Sequence, residues 1–165
     1  MSKTKFLALW SPYEDVPHTS RANFFQDLFE QDQRVVVIDL KNNKDPRSQT
    51  LLREADLVIV FLKQELACLE QYFLYDLVRN NHIIYVIADY IHDGSTDWFR
   101  QMELYRIPKE QVFLLPYSPY LQMLHRYEDI AQFLEEKTPH IPLHQKEGVL
   151  KSYRRFQSKI YESLR

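Results

Sequence analysis

At 165 residues, 45% hydrophobic and 27% charged, the chain has the size and balance of one folded domain, which excludes global disorder. One cysteine excludes a disulfide framework and a cysteine-built zinc site. The net charge of −2 is uneven: residues 146–165 carry six basic and two acidic side chains, a local +4, leaving −6 on the body, which points to an anionic partner for the tail and away from a nucleic-acid-binding domain as a whole.

The opening Met1-Ser2-Lys3-Thr4-Lys5 leads into five apolar residues and then Ser11-Pro12, too short a run for a secretory leader. No apolar run approaches the ~20 residues that span a bilayer, so the expected compartment is the cytoplasm. Phe6–Trp10 reads as a first buried strand. Thr19 or Ser20 is placed to cap a helix reaching about Gln31, with Phe24, Phe25, Leu28 and Phe29 inward. Val35–Leu40 is a β-branched run, which predicts a parallel strand with helices on each side. After the polar stretch Lys41–Arg47, a short helix is expected over Ser48–Ala55 and a strand over Leu57–Leu62. Glu65–Asn80 predicts a helix with Leu66, Leu69, Phe73 and Leu77 as its apolar face.

Ile83–Ala88 is the fourth strand, and Ser95–Tyr105 a helix opened by Ser-Thr-Asp. Val112–Leu115 is the fifth strand, ended by Pro116, and Tyr120–Glu136 is helical. Thr138–Gln145, with Pro139 and Pro142, reads as a linker. Last comes a basic amphipathic helix over Lys146–Leu164, with Val149, Tyr153, Phe156, Ile160 and Leu164 on one stripe. The alternation predicts an α/β fold, a doubly wound, mostly parallel five-stranded sheet flanked by helices, with the C-terminal helix added. The expected organisation is a Rossmann-like domain over 1–137, a linker over 138–145 and a helix over 146–165.

Ligands of such sheets bind beyond the carboxyl ends of the strands. That rule nominates Ser11–Ser20, Asp39, Lys63 with Glu65, Asp89 with Tyr90, and Tyr117 with Ser118. Asp39 and Asp89 are strand-end carboxylates of the kind that bind Mg²⁺ or act as a base, although Asp is common wherever a loop begins. His140 and His144 have the spacing of a helical metal pair, but Pro139 and Pro142 speak against a helix there, so no metal site is expected. Cys68 reads as a small buried side chain, and the excess of Tyr and Phe as core rather than as stacking platforms for bases. Glycine occurs only at Gly94 and Gly148, which excludes a glycine-rich phosphate loop near the N-terminus.

The phrase Phe6-Leu-Ala-Leu-Trp-Ser-Pro12, followed by a loop, Thr19-Ser20 and a helix, resembles the start of MinD/ParA-like P-loop ATPases, in particular their CpaE/TadZ-type branch. Val35-Val-Val-Ile-Asp39-Leu40 with Leu52-Arg-Glu-Ala-Asp56-Leu-Val-Ile-Val60 is similar to that family's later core. Ile84-Tyr-Val-Ile-Ala-Asp89-Tyr90 is similar to its base-recognition strand, and Leu115-Pro116-Tyr117 to its Ile-Pro-Tyr strand end. Over the family's phosphate loop this chain reads Glu14-Asp15-Val16-Pro17-His18-Thr19-Ser20. No glycine is left, Glu14 and Thr19 replace the two lysines, and only Ser20 keeps the Mg²⁺-ligand hydroxyl. Asp89 stands where the family has Asn.

The resemblance therefore implies a pseudo-ATPase. Glu14, Asp15, His18, Thr19 and Ser20 would be a vestigial nucleotide loop, with no catalytic residue, cofactor or metal. The expected function is a non-catalytic interaction or localisation module within a pilus, secretion or partition assembly. Its partner is expected to be a protein or a second copy, met through Tyr153, Arg154, Arg155 and Phe156, with no nucleic acid and the membrane only indirectly. The competing expectation for the last helix is packing back onto the sheet. Two other functions stay open: a small α/β enzyme, hydrolase or nucleoside-transferring, using the strand-end carboxylates, and a receiver-like signalling domain.

Overall fold

The structure, a computed structural model, describes residues 3–14, 29, 34–92, 94, 96–116 and 143–165. Its elements are β1 (Lys5–Trp10), β2 (Val35–Asp39), α1 (Pro46–Glu54), β3 (Leu57–Leu62), α2 (Leu66–Gln71) running into a π-helical turn (Tyr72–Asp76), β4 (Ile83–Tyr90), α3 (Trp98–Leu104), a 3-10 turn (Lys109–Gln111), β5 (Val112–Pro116) and α4 (Leu143–Leu164). The strands form one sheet in the order β2-β1-β3-β4-β5, every pair parallel. This is the expected doubly wound α/β architecture, parallel throughout its five strands. The helices predicted over 19–31 and 120–136 lie outside the described residues, apart from Phe29, which is buried.

β3 decides the sheet. Its sequence Leu-Val-Ile-Val-Phe-Leu contains no polar side chain, and all six residues are buried. Such a strand suits only a central position with both faces covered, and β1 and β4 flank it there. β2 departs from expectation. It lies at the edge of the sheet and is only partly buried, with Val36 paired beside the half-exposed Phe6. An apolar run reports that a segment is a strand, while strand order decides how far it is covered.

Polar side chains fix where these elements begin and end. Asp45 caps α1 by accepting the Ser48 N–H at 3.0 Å and the Ser48 hydroxyl at 2.8 Å, and Pro46 occupies the first turn, where no N–H is needed. The helix thus starts two residues before the predicted Ser48. At its other end the Asn80 amide donates to the carbonyls of Leu52 at 2.8 Å and Ala55 at 2.9 Å, satisfying acceptors that a helix terminus leaves open. Asp56 ties β3 to β1: it exchanges backbone and side-chain hydrogen bonds with Phe6, at 2.9 and 2.8 Å, and stands 3.7 Å from Lys5 Nζ.

The helix predicted over 65–80 is replaced by α2 and the π turn. The wider turn shifts the inward face, so Leu69 and Tyr72 are buried while Leu66 and Leu77 are half-exposed. The cause is an aromatic cluster. Tyr72 meets Tyr85 edge-on, their hydroxyls 3.2 Å apart, and the Val78 N–H donates to the Tyr72 hydroxyl at 3.3 Å. Phe73 stacks on Tyr105 with ring centres 4.2 Å apart. In α3, Asp97 of the Ser-Thr-Asp cluster makes the cap, accepting the Arg100 N–H at 3.2 Å, and Trp98 and Met102 face the core.

α4 begins at Leu143, so residues 143–145 of the expected linker are helical. Its stripe is taken up by the chain itself: Phe156, Ile160 and Leu164 are buried, and the Phe156 ring lies 5.0 Å from that of Phe113 in β5. Phe156 is therefore a core residue, not a surface offered to a partner.

Two outcomes follow from this packing. Phe156→Ala should lower the free energy of unfolding by about 3–5 kcal/mol in urea denaturation, as no surface contact would. The Asp45 carboxyl is held below its ordinary pKa of 3.8, first by the Ser48 N–H and then by the Ser48 hydroxyl. Its contribution is present above that ordinary value and is lost as pH falls through the depressed one. Asp45→Ala should lower the melting temperature at neutral pH, and the gap to the parent protein should narrow in strong acid.

Candidate functional site

In a sheet ordered 2-1-3-4-5 the crossovers change direction between the first and third strands, and ligands bind in the crevice beyond those two carboxyl ends. β1 leaves the sheet there through Ser11-Pro12-Tyr13-Glu14. Ser11 is fully buried, and its N–H donates to the Lys41 carbonyl at 2.9 Å. Its hydroxyl donates to the Phe61 carbonyl at 2.9 Å and accepts the Tyr13 N–H at 3.3 Å. Tyr13 turns inward until only 8% of it is exposed. Its phenol donates to the Cys68 carbonyl at 2.5 Å, and Lys63 Nζ stands 5.2 Å from its ring centre. Burial above all pushes the Tyr13 hydroxyl well beyond the ordinary phenol range, with Cys68, Asp76 and Glu65 acting in the same direction. It is a proton donor throughout the physiological range.

The two strand-end aspartates sit at irregular backbone positions. Asp39 Oδ1 accepts the Lys41 N–H at 2.9 Å, a local turn in which Lys41 adopts a φ of 53°. Asp89 lies where the β4–β5 pairing shifts register between Ile87 and Tyr90, with a φ of 52°. Aspartate enters this left-handed region more readily than most side chains. β1 and β3 separate β2 from β4, and the register sets Asp39 level with Ile84, five residues before Asp89, so the two carboxylates stand more than about 14 Å apart at ordinary strand spacing. One Mg²⁺, which holds its oxygens at about 2.0–2.1 Å, cannot use both. Among the described residues, no group of three or more His, Cys, Asp or Glu side chains is placed to hold a metal ion.

Glu14 is exposed at the exit of β1. Asp15, His18, Thr19 and Ser20 lie outside the described residues, as do Tyr117, Ser118 and His140. Cys68 is half-buried rather than fully buried, and its thiol donates to Glu65 Oε2 at 3.3 Å. On α4, Arg154 and Arg155 are exposed, and the Arg155 guanidinium lies 5.9 Å over the Phe113 ring. Of Tyr153 only the backbone is described.

Tyr13 enters the sequence reading only within the nominated Ser11–Ser20, and Gln64 is not named there. The Gln64 amide donates to the Ile91 carbonyl at 2.6 Å and accepts the Ile91 N–H at 2.8 Å, joining the exits of β3 and β4. Trp10 likewise donates its indole N–H to the Asn43 carbonyl at 2.9 Å. A tyrosine straight after Ser11-Pro12 is the local sign of the Tyr13 contact, whose acceptor lies far along the chain. The crevice end of β1 is thus knitted into the protein by its own hydroxyls and N–H groups. No protein-family model, curated protein or solved structure matches this chain.

Removing these contacts should be felt as stability. Ser11→Ala leaves the buried Phe61 carbonyl without this donor and should cost about 1–3 kcal/mol. Tyr13→Phe, which keeps the ring, should cost about 1 kcal/mol. Urea denaturation of the two variants checks both values.

Proposed function

We propose that this chain is a non-catalytic, MinD/ParA-like module that acts by protein contact or localisation, within an assembly of the pilus, secretion or partition kind. The observation that carries the reading is the inward turn of Tyr13. A phosphate cradle needs backbone N–H groups aimed at the ligand. Here the Ser11 N–H, the Ser11 hydroxyl, the Tyr13 N–H and the Tyr13 phenol all bond within the protein. The spacing of Asp39 and Asp89 speaks against the enzyme reading that would pair them.

Exposed apolar side chains support a contact role. Leu66, Leu74, Tyr75 and Leu77 stand at least half in solvent on the segment after β3, Tyr75 at 80%, and apolar exposure gathered in one region marks interaction surfaces. Arg154 and Arg155 remain candidate partner contacts on the outer side of α4. The strand order also favours a receiver-like reading, since such domains share it. Against that, Ser11-Pro12-Tyr13 separate β1 from the first acidic residues, Glu14-Asp15, and β5 ends in Leu115-Pro116 without a lysine.

A thermal-shift series tests the proposal. Mg²⁺-ATP and Mg²⁺-GTP should leave the melting temperature no different from Mg²⁺-free nucleotide, whereas a ligand at 100 times its Kd adds about 2.7 kcal/mol. Asp39→Asn and Asp89→Asn should leave the protein's role in its native cell intact. A Mg²⁺-dependent shift, or loss of that role in a well-folded Asp39→Asn chain, would transfer the weight to an enzyme.

A further inference from the structure

β2 stands at the edge of the sheet, with β1 on one side only. Which backbone groups face outward follows from the ladder. The Lys5 N–H donates to the Arg34 carbonyl at 2.7 Å, and the Leu40 N–H to the Leu9 carbonyl at 2.9 Å. Residues 34 and 40 therefore aim their backbone groups at β1, and by the two-residue period of a strand so do Val36 and Ile38. Val35, Val37 and Asp39 aim theirs the other way, and no hydrogen bond between described residues takes those groups up. Beside this flank Val36 is 40% exposed, next to its equally open β1 neighbour Phe6 at 43%.

An edge of this kind is a template for another strand, and proteins blunt it with lysine, proline or a bulge. Val35-Val36-Val37-Ile38 has neither lysine nor proline, and its pairing with β1 runs without a register shift. The opposite edge differs: β5 ends in Pro116, after a shift in its register with β4. The occupant that fits the β2 edge is a second β2. The outward groups are spaced evenly about Val37, so an antiparallel copy turned about a two-fold axis at Val37 presents the same groups in return. Val37 then exchanges N–H···O=C bonds with Val37 of the second copy, and Val35 with Asp39 of the second copy. Val36 comes opposite Ile38 of the second copy, an apolar cross-strand pair. The two Asp39 carboxylates fall at opposite ends of the ladder, which keeps like charges apart.

We propose that two copies of this chain pair β2 to β2, antiparallel about Val37, and join their sheets into one. The strands supply five residues a side, against the ~20–30 of a standard interface, so the dimer is a weak one that forms as concentration rises. This goes beyond the contact role proposed above and uses none of the apolar side chains named for it.

Sedimentation equilibrium of the full chain over a concentration series tests it. The mass should rise from monomer toward dimer and no further, because a two-fold contact is closed. Val36→Lys changes an exposed side chain; when dilute it should melt like the parent protein, and its dimer should dissociate about tenfold more readily. Disulfide trapping reads the register. Val37→Cys stands on the axis, where the Cα atoms of a hydrogen-bonded pair lie about 5.5 Å apart, within reach of a disulfide. Under mild oxidation it should cross-link well beyond the Cys68 background of the parent chain, and Val35→Cys, which lies opposite Asp39 rather than itself, should not. A monomer at every concentration, a mass that climbs past dimer, undiminished pairing by Val36→Lys, or equal trapping by Val35→Cys and Val37→Cys overturns the proposal. None of these results bears on the Mg²⁺-ATP series, so the two readings fail separately.

Discussion

The ladders that β3 makes with β1 on one side and β4 on the other join strands that are apolar in both directions, and a parallel sheet of that kind is stable only with both faces out of water. That requirement explains why α4 cannot be an appendage. Its Phe156 packs on Phe113 of β5, and Ile160 and Leu164 are buried with it. It also explains the density of aromatic contacts around Tyr72, because large rings fill the space between helix and sheet with few residues. The edge is where the requirement relaxes, and β2 accordingly keeps one partly open flank.

The two ends of the strands have opposite characters. Beyond β1 and β3 the polar groups of the described residues Ser11, Tyr13 and Gln64 bond to segments far apart in sequence. At the amino ends, the described residues Lys3, Lys5, Arg34 and Arg165 line a half-open pocket. In this chain the framework is carried by the β3 ladders, which neither end disturbs.

Much of the framework is legible in the residues. Leu57–Leu62 is a strand with the predicted bounds, and β1 and β5 each differ by one residue, because unbroken apolar runs bounded by polar or proline residues admit little else. β4 runs two residues further, through Asp89 and Tyr90, since a register shift lets the strand continue past a left-handed residue. What stays hidden depends on contacts between distant positions. The π turn answers Tyr85, the closure of α1 depends on Asn80, and Tyr13 finds its acceptor at Cys68. Helical periodicity describes a segment against an average core, and it misplaces Leu66 and Leu77 because the core here is a particular group of rings.

Among the described residues, Lys41, Arg106 and, within β4, Asp89 each have a positive φ between 52° and 64°, in a chain that contains two glycines. Each such residue gives up about 1–2 kcal/mol of conformational comfort in the folded state relative to the right-handed region. A side chain at the same position also narrows the range of shapes available before folding, which returns about 0.4–1 kcal/mol relative to glycine. On these figures the folded-state cost at such a position exceeds the gain from the unfolded ensemble. This protein meets its tightest turns with local strain, and in exchange it begins folding from a stiffer chain with less disorder to lose.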